Sequence, residues 1–218
     1  MYKHIIKRLF DLILSSIAIV VLAIPMLIVA IAIKIDDPGP VLFKQRRVGK
    51  KKNGEITYFM IWKFRSMKMC TPHDIPTHQL ENPEQYITRL GRFIRKTSID
   101  ELPQIYQVFT SKLSIVGPRP ALWSQDDLIA EREKYGANDV KPGITGWAQI
   151  NGRDELEIDV KAKFDGEYTE ALNTGKFKGL VMDIKCFFGT FISVLKSDGV
   201  VEGGTGEMKK QKEETTAQ

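Results

Sequence analysis

Asp100 and Glu101 stand side by side in Lys96-Thr97-Ser98-Ile99-Asp100-Glu101-Leu102-Pro103-Gln104, and cations surround them along the chain. Arg95 and Lys96 lie just upstream, Gly117-Pro118-Arg119-Pro120 follows, and Lys63-Phe64-Arg65 closes an earlier apolar segment. Arginine offers a planar fork to phosphate oxygens, and prolines on both sides of Arg119 restrict its backbone to extended shapes. Adjacent acids amid such cations suit a metal-bound pyrophosphate. A purely local account also exists. Ser98 followed by Glu101 reads as a capping box, and Asp100 as N-cap would put Pro103 in the first turn of a helix, so the helix end alone explains both acids.

The element that must position this pair is Leu12 to Ile33, an apolar run without a charged residue, broken in polarity by Ser15 and Ser16 and in helicity by Pro25. It is too long for the apolar part of a signal peptide, and Lys34-Ile35-Asp36-Asp37-Pro38 offers no small-residue cleavage site. A straight helix over the run would reach roughly 33 Å, enough for a hydrocarbon core of about 30 Å. A simple span is therefore one topology. The other is a segment that turns near Pro25 and returns to the same face, since proline removes a helical hydrogen bond and clashes with the preceding turn. Lys3, Lys7 and Arg8 before the run and Lys34, Lys44, Arg46, Arg47, Lys50, Lys51 and Lys52 after it pull both ends toward the cytoplasm.

The whole chain has 218 residues, 43% of them hydrophobic, and a net charge of +5, which allows one domain with a proper core. The positive excess fits an anionic membrane surface, whereas no nucleic-acid motif or basic-aromatic interleaving is present, which argues against nucleic acid as a partner. Cys70 and Cys186 are far apart and form no metal-ligand pattern.

After Pro38-Gly39-Pro40, Val41 to Val48 and Ile56 to Phe64 read as strands joined across Asn53-Gly54, a strong hairpin signal. Met69 to Pro83 reads as an irregular loop, with His73 and His78 as surface residues. Tyr86 to Lys96 is expected to be a helix with Ile87, Leu90 and Ile94 on one face, delivering Arg95 to the acids. The next helix, to about Phe109, is expected to bury Leu102, Ile105, Tyr106 and Phe109. Leu113 to Val116 is a short apolar segment, and Ser124 with Asp127 is a second capping-box-like start to a helix ending near Tyr135. Lys141 to Arg153, with its dispersed glycines and proline, reads either as an ordered functional loop or short strand, or as a tightly packed connection. Glu157 to Leu172 and Gly179 to Leu195 are further helices. The latter, rich in Phe187, Phe188 and Phe191, suits the membrane interface or the core.

Taken in order, Lys7-Arg8-Leu9-Phe10-Asp11, Pro38-Gly39-Pro40, Lys63-Phe64-Arg65-Ser66-Met67, Ser98 to Gln104, Val116-Gly117-Pro118-Arg119-Pro120 and Pro142-Gly143-Ile144-Thr145-Gly146 resemble the monotopic phosphoglycosyl transferases of the bacterial sugar transferase family. The resemblance runs from about Lys3 to Val201. It implies an α+β fold in which a re-entrant membrane helix with its basic flank (1–36) precedes one compact catalytic domain (37–202), built of a small β-hairpin and several amphipathic or interfacial helices. The tail, 203–218, is expected to be disordered.

The resemblance also implies transfer of a sugar 1-phosphate from a UDP-sugar to polyprenyl (undecaprenyl) phosphate, with release of UMP, on the cytoplasmic face of the bacterial plasma membrane. In that family Asp100 matches the nucleophile and Glu101, with Asp100, the holder of a magnesium ion. Lys63, Arg95 and Arg119 match basic positions of the phosphate and nucleotide site, and Pro118, Pro120 and Arg153 are further substrate-binding candidates. Ile24 departs from the family pattern, where a small polar residue precedes the kink proline. General likeness leans toward an N-acetylated amino or deoxyamino sugar, and the residues leave a homodimer open. Two other classes compete with the transferase. A membrane-anchored nucleotide diphosphate hydrolase would use the same acids and cations, whereas a non-catalytic interfacial scaffold would not need them.

Overall fold

The computed structural model describes residues 2–71, 82–152, 156–174 and 177–196. His73, His78, Arg153 and the 203–218 tail lie outside the described residues.

The apolar run forms one helix, α1 (Lys7–Asp36), entered through a wide turn at Tyr2–Ile6. Its 30 residues make it roughly 45 Å long. Helical backbone continues through Pro25 and stops where Asp37 becomes extended, just before Pro38-Gly39-Pro40. Asp37 then grips Arg65 Nη1 at 2.8 Å and accepts the Met69 N–H at 3.0 Å, which ties the exit of the helix to the body. Most of α1 exposes aliphatic side chains, including Val20, Ile24, Leu27 and Ile28. The side turned to the body carries Lys7, Asp11 and Ser15 at one end and Met26 and Ile33 at the other.

Strands β1 (Leu42–Val48) and β2 (Tyr58–Phe64) pair antiparallel from Leu42 opposite Phe64 to Val48 opposite Tyr58. Asn53 and Gly54 both take positive φ, 51° and 84°, as the expected turn requires. Phe64 joins Met26, Ile33 and Ile94 in one core cluster, so the hairpin, α1 and the helix α2 (Arg89–Lys96) share a centre. That helix starts later than the periodicity indicates. Thr88 caps it, its Oγ1 accepting the Gly91 N–H at 2.8 Å, while Tyr86 ends a separate short turn.

Helix α3 (Gln104–Phe109) corrects another expectation. Its buried residues are Gln104, Gln107 and Val108, while Tyr106 and Phe109 are exposed. The reason is the Gln107 amide, which accepts the Trp62 N–H at 2.9 Å and donates to the Met60 carbonyl at 2.6 Å, satisfying polar groups on β2. Arg8 of α1 then donates to the carbonyls of Val108 and Phe109, both at 2.7 Å, at the end where helix carbonyls lack partners.

Beyond α3, β3 (Ser114–Val116) lies parallel to β4 (Gly143–Thr145). The described part of that stretch, 141–152, thus holds a short strand followed by the one-turn helix α5 (Trp147–Ile150). A side chain at Gly143 would place its Cβ 2.1 Å from the Gly117 nitrogen, so the close approach of these backbones needs glycine. Between them runs α4 (Asp126–Glu133), without the Ser124 cap expected. Its N-cap is Gln125, whose Oε1 instead accepts the Leu122 N–H at 2.9 Å. Helices α6 (Ile158–Thr174) and α7 (Lys178–Lys196) complete the body. Cys186 of α7 is fully buried with Tyr168, Val116 and Tyr2, whereas Val181, Ile184, Phe188, Phe191 and Ile192 of the same helix are exposed. Helix α7 is therefore core on one face and open apolar surface on the other.

Candidate active site

Asp100 and Glu101 sit in a single 3₁₀ turn, Ile99–Glu101, between α2 and α3. The capping box does not form. Ser98 adopts a left-handed conformation, φ 56°, without a side-chain cap bond, and Glu101 turns toward cations instead. Glu101 Oε1 accepts from Lys63 Nζ at 2.8 Å and from Arg119 Nη2 at 2.7 Å, with Arg119 Nη1 3.4 Å from Oε2. Charge pairing outweighs what a cap would contribute, about 1 kcal/mol. Among the described residues Asp100, 8% exposed, has only a loose approach from the same lysine, 3.5 Å from Lys63 Nζ to Oδ2.

The adjacent carboxyls have opposite electrostatics. Burial raises the Asp100 pKa above its ordinary 3.8, with Lys63 opposing the rise and Glu101 adding to it. Burial also disfavours a charge on Glu101, but Arg119 and Lys63 outweigh it and hold that carboxyl well below the usual range. Glu101 is thus a fixed anion locked to its cations. Asp100 is a sheltered carboxylate with an open oxygen chemistry.

Three elements converge here. The β2 strand carries Lys63 as its penultimate residue, α2 carries Arg95 in its last turn, and the loop after β3 presents Arg119. Arg95 donates to Ser66 Oγ at 3.3 Å, and its charge favours the ionised form of Asp100. Pro118 and Pro120 are buried on either side of a half-buried Arg119. The Pro118 carbonyl accepts the Gly143 N–H at 3.0 Å and the Pro120 carbonyl accepts from Arg47 at 3.1 Å, so the prolines fix Arg119 through the backbone. The structure brings Lys63, Arg95 and Arg119 from separate segments to the adjacent Asp100 and Glu101.

Sequence reasoning missed two features. A cavity of about 150 Å³ opens beside Glu101 and Arg119, reaching from Leu22 of α1 to Gln149 of α5 and Thr190 of α7. Only the glycines of 141–153 hinted at that wall. The second is a buried network under α1, where Asp183 accepts from Tyr2 at 2.5 Å, Lys7 at 2.7 Å and Tyr168 at 2.8 Å. Asp11 nearby accepts from Ser114 Oγ at 2.8 Å and the Ile115 N–H at 3.0 Å.

A family model described as bacterial sugar transferase matches residues 2–197. The chain belongs to the bacterial sugar transferase family. It is 38% identical over 179 residues to the UDP-glucose:undecaprenyl-phosphate glucose-1-phosphate transferase of Escherichia coli (strain K12), covering 76% of this chain and 36% of that protein. It is 37% identical over 201 residues to the exopolysaccharide production protein PSS of Rhizobium leguminosarum bv. phaseoli, covering 88% of this chain and 96% of that one. With the undecaprenyl-phosphate galactose phosphotransferase of Salmonella typhimurium it shares 35% identity over 211 residues, 90% of this chain and 42% of the relative. The chain therefore spans little more than a third of the length of the first of these, and nearly all of the second.

Bacterial sugar transferase membership gives the acidic pair a setting in which a magnesium ion can be tested against the residues present. Among the described residues no group of three or more His, Cys, Asp or Glu gathers to hold a metal. Among the described residues of this cluster, Asp100 and Glu101 are the hard oxygen donors, and magnesium is commonly held by one or two carboxylates with substrate phosphates completing its shell. The donor set fits such a shared ion.

Proposed function

We propose that this chain transfers a sugar 1-phosphate from a UDP-sugar to polyprenyl (undecaprenyl) phosphate and releases UMP, through a covalent intermediate on Asp100. The observation that carries the reading is the division of labour in the pair: Glu101 takes the close contacts of Lys63 and Arg119, leaving the buried Asp100 carboxylate free to react. A carboxylate oxygen of Asp100 attacks the phosphorus that bears the sugar. The bond from that phosphorus to the bridging oxygen breaks, UMP leaves with the electron pair, and an acyl phosphate remains. A phosphate oxygen of the polyprenyl acceptor then attacks the same phosphorus and expels the Asp100 carboxylate. Arg119 and Lys63 provide positive charge where the pyrophosphate oxygens accumulate negative charge, while burial raises the Asp100 pKa and Lys63, then Arg95, oppose that rise. Magnesium held by Glu101 and Asp100 would supply further charge neutralisation on the pyrophosphate. The names of the relatives point toward glucose or galactose rather than an N-acetylated sugar.

The same reading seats α1 in the bilayer as a re-entrant helix with its ends on the cytoplasmic face. Lys7 and Asp11 at one end and Met26 and Ile33 toward the other contact the same body of the chain, which supports a helix that stays against that body rather than leaving it across a hydrocarbon core of about 30 Å. Pro25, exposed within the helix, is the proposed bend, and the open apolar face of α7 rests in the interface beside it. The test of the reaction is intact mass spectrometry of protein mixed with magnesium and a panel of UDP-sugars, without acceptor. A mass gain of one sugar phosphate on Asp100 with about one UMP per enzyme is expected. Product formed only when acceptor is added, with no adduct, would demote Asp100 to a base or metal ligand, and free sugar phosphate without acceptor would mean a hydrolase.

A further inference from the structure

Gln149 is 8% exposed, and among the described residues neither its Oε1 nor its Nε2 has a hydrogen-bond partner. A buried amide normally finds partners, and leaving both ends unpaired costs stability. The side chain lines the cavity beside Glu101 and Arg119, with its Oε1 over Gly146, where a Cβ would stand only 2.8 Å away. Such a Cβ would meet the Gly117 carbonyl first, at 2.2 Å, so the glycine admits both that backbone and the amide.

The neighbouring hydroxyls are polarised in one sense. Thr190 Oγ1 donates its single proton to the Cys186 carbonyl at 2.6 Å, so in the 2.5 Å contact between Thr145 and Thr190 the donor is Thr145. Both hydroxyls then keep only acceptor capacity, while Gln149 offers donor and acceptor together. Ser193 adds a further hydroxyl, and Leu22 and Leu102 supply apolar wall.

We propose that this cavity is the subsite for the sugar ring of the nucleotide donor, and that Gln149 reads its hydroxyl or acyl substituents. The inference rests on the transferase reading above. A sugar presents alternating hydroxyls and C–H faces, which match the mixed lining, and it is joined to the phosphate that Glu101 and Arg119 adjoin. A uracil ring would find no aromatic partner among the described lining residues. An isoprenoid would bury the amide and the threonine lone pairs against hydrocarbon.

The test uses the full chain with Gln149→Met, which keeps the shape and removes the amide, and Ser193→Ala as a milder change. UMP release is measured with polyprenyl phosphate and each of UDP-glucose, UDP-galactose and UDP-N-acetylglucosamine, beside the Kd for UDP and the melting temperature. Gln149→Met is expected to lower kcat/KM for the best donor about 10–100-fold and to flatten the ranking of donors. The Kd for UDP and the KM for the acceptor should stay within about twofold, and the ligand-free protein should melt higher because an unpaired buried amide is gone. Ser193→Ala should act in the same direction and less. Weakened UDP binding would reassign the cavity to the nucleotide, a raised acceptor KM would reassign it to the lipid, and a lower melting temperature would make the amide structural; each overturns the proposal. An unchanged donor ranking in an active Gln149→Met enzyme sinks this inference alone. A wild-type chain that releases UMP from no donor overturns the transferase reading with it.

Discussion

One cluster of buried carboxylates and cations lies under the foot of α1, and another at the turn before α3. In the first, Asp183 receives Tyr2, Lys7 and Tyr168 within 2.8 Å, and every donor comes from an element that must be held in place. Burial and the Asp183 charge push both phenols above their ordinary pKa, and the Cys186 thiol beside them is pushed up to about 12, so the tyrosines stay neutral donors and the thiol stays inert. In the second, Lys63 and Arg119 crowd onto Glu101 while Asp100 keeps only a 3.5 Å approach. A satisfied network anchors. An unevenly shared one leaves a group free to react.

The largest effect should separate the clusters outright. Asp100→Asn keeps the shape and removes the nucleophile, so the covalent adduct should vanish and lipid product should fall more than about 10³-fold. Near-normal product from that variant, measured by radiolabelled transfer, would return Asp100 to a supporting role. Glu101→Gln comes next. It leaves the half-buried Lys63 and Arg119 without that anion, which should cost about 3 kcal/mol of stability and shift the magnesium titration of activity to higher concentration. An unchanged titration removes Glu101 from the metal site.

Asp183→Asn is the mirror of these. Breaking the α1 anchor should destabilise by about 3 kcal/mol as well, read as a drop in denaturation midpoint in detergent. The adduct on Asp100 should still form at nearly the wild-type rate per folded molecule. Loss of labelling in a folded Asp183→Asn protein would mean that the anchor cluster is part of the site and that the distinction between the clusters is false.

The acidic pair, its cations and the Asn53-Gly54 hairpin were legible because each carries its signal within a few residues. Glu101 as a cap was misleading for the same reason. The cap is a local option, while Lys63 and Arg119 arrive from distant segments and win only once the chain has folded. The face of α3 was misjudged because periodicity counts aromatic residues as core, whereas the Gln107 amide pairs with a strand that no local pattern reveals. Asp183 and Tyr2 lie 181 residues apart, so nothing near either one marks the contact. Gln149 was hidden in plain sequence. Only its lack of partners in three dimensions distinguishes it.

The smallest effect tests the electrostatic contrast within the pair itself. Attack requires ionised Asp100, and burial lifts its pKa above 3.8, so labelling should fade as pH drops through a range where an ordinary aspartate is still charged. Glu101, held well below the usual range, stays ionised through that window and keeps its ion pairs. The two also act on stability with opposite sign. Folded Asp100 binds its proton more readily than the unfolded chain does, so its burial penalty is present at neutral pH and is relieved as pH falls through its raised pKa. Glu101 contributes stability above the unfolded glutamate pKa and loses it only as pH falls toward its own lowered value. Asp100→Asn should therefore be more stable than wild type at neutral pH, and the difference should shrink on acidification as the wild-type carboxyl becomes neutral too. Urea midpoints of both proteins across the acid range, measured beside adduct formation, check this. A stability difference that grows on acidification would mean that the cations, not burial, set the charge of Asp100.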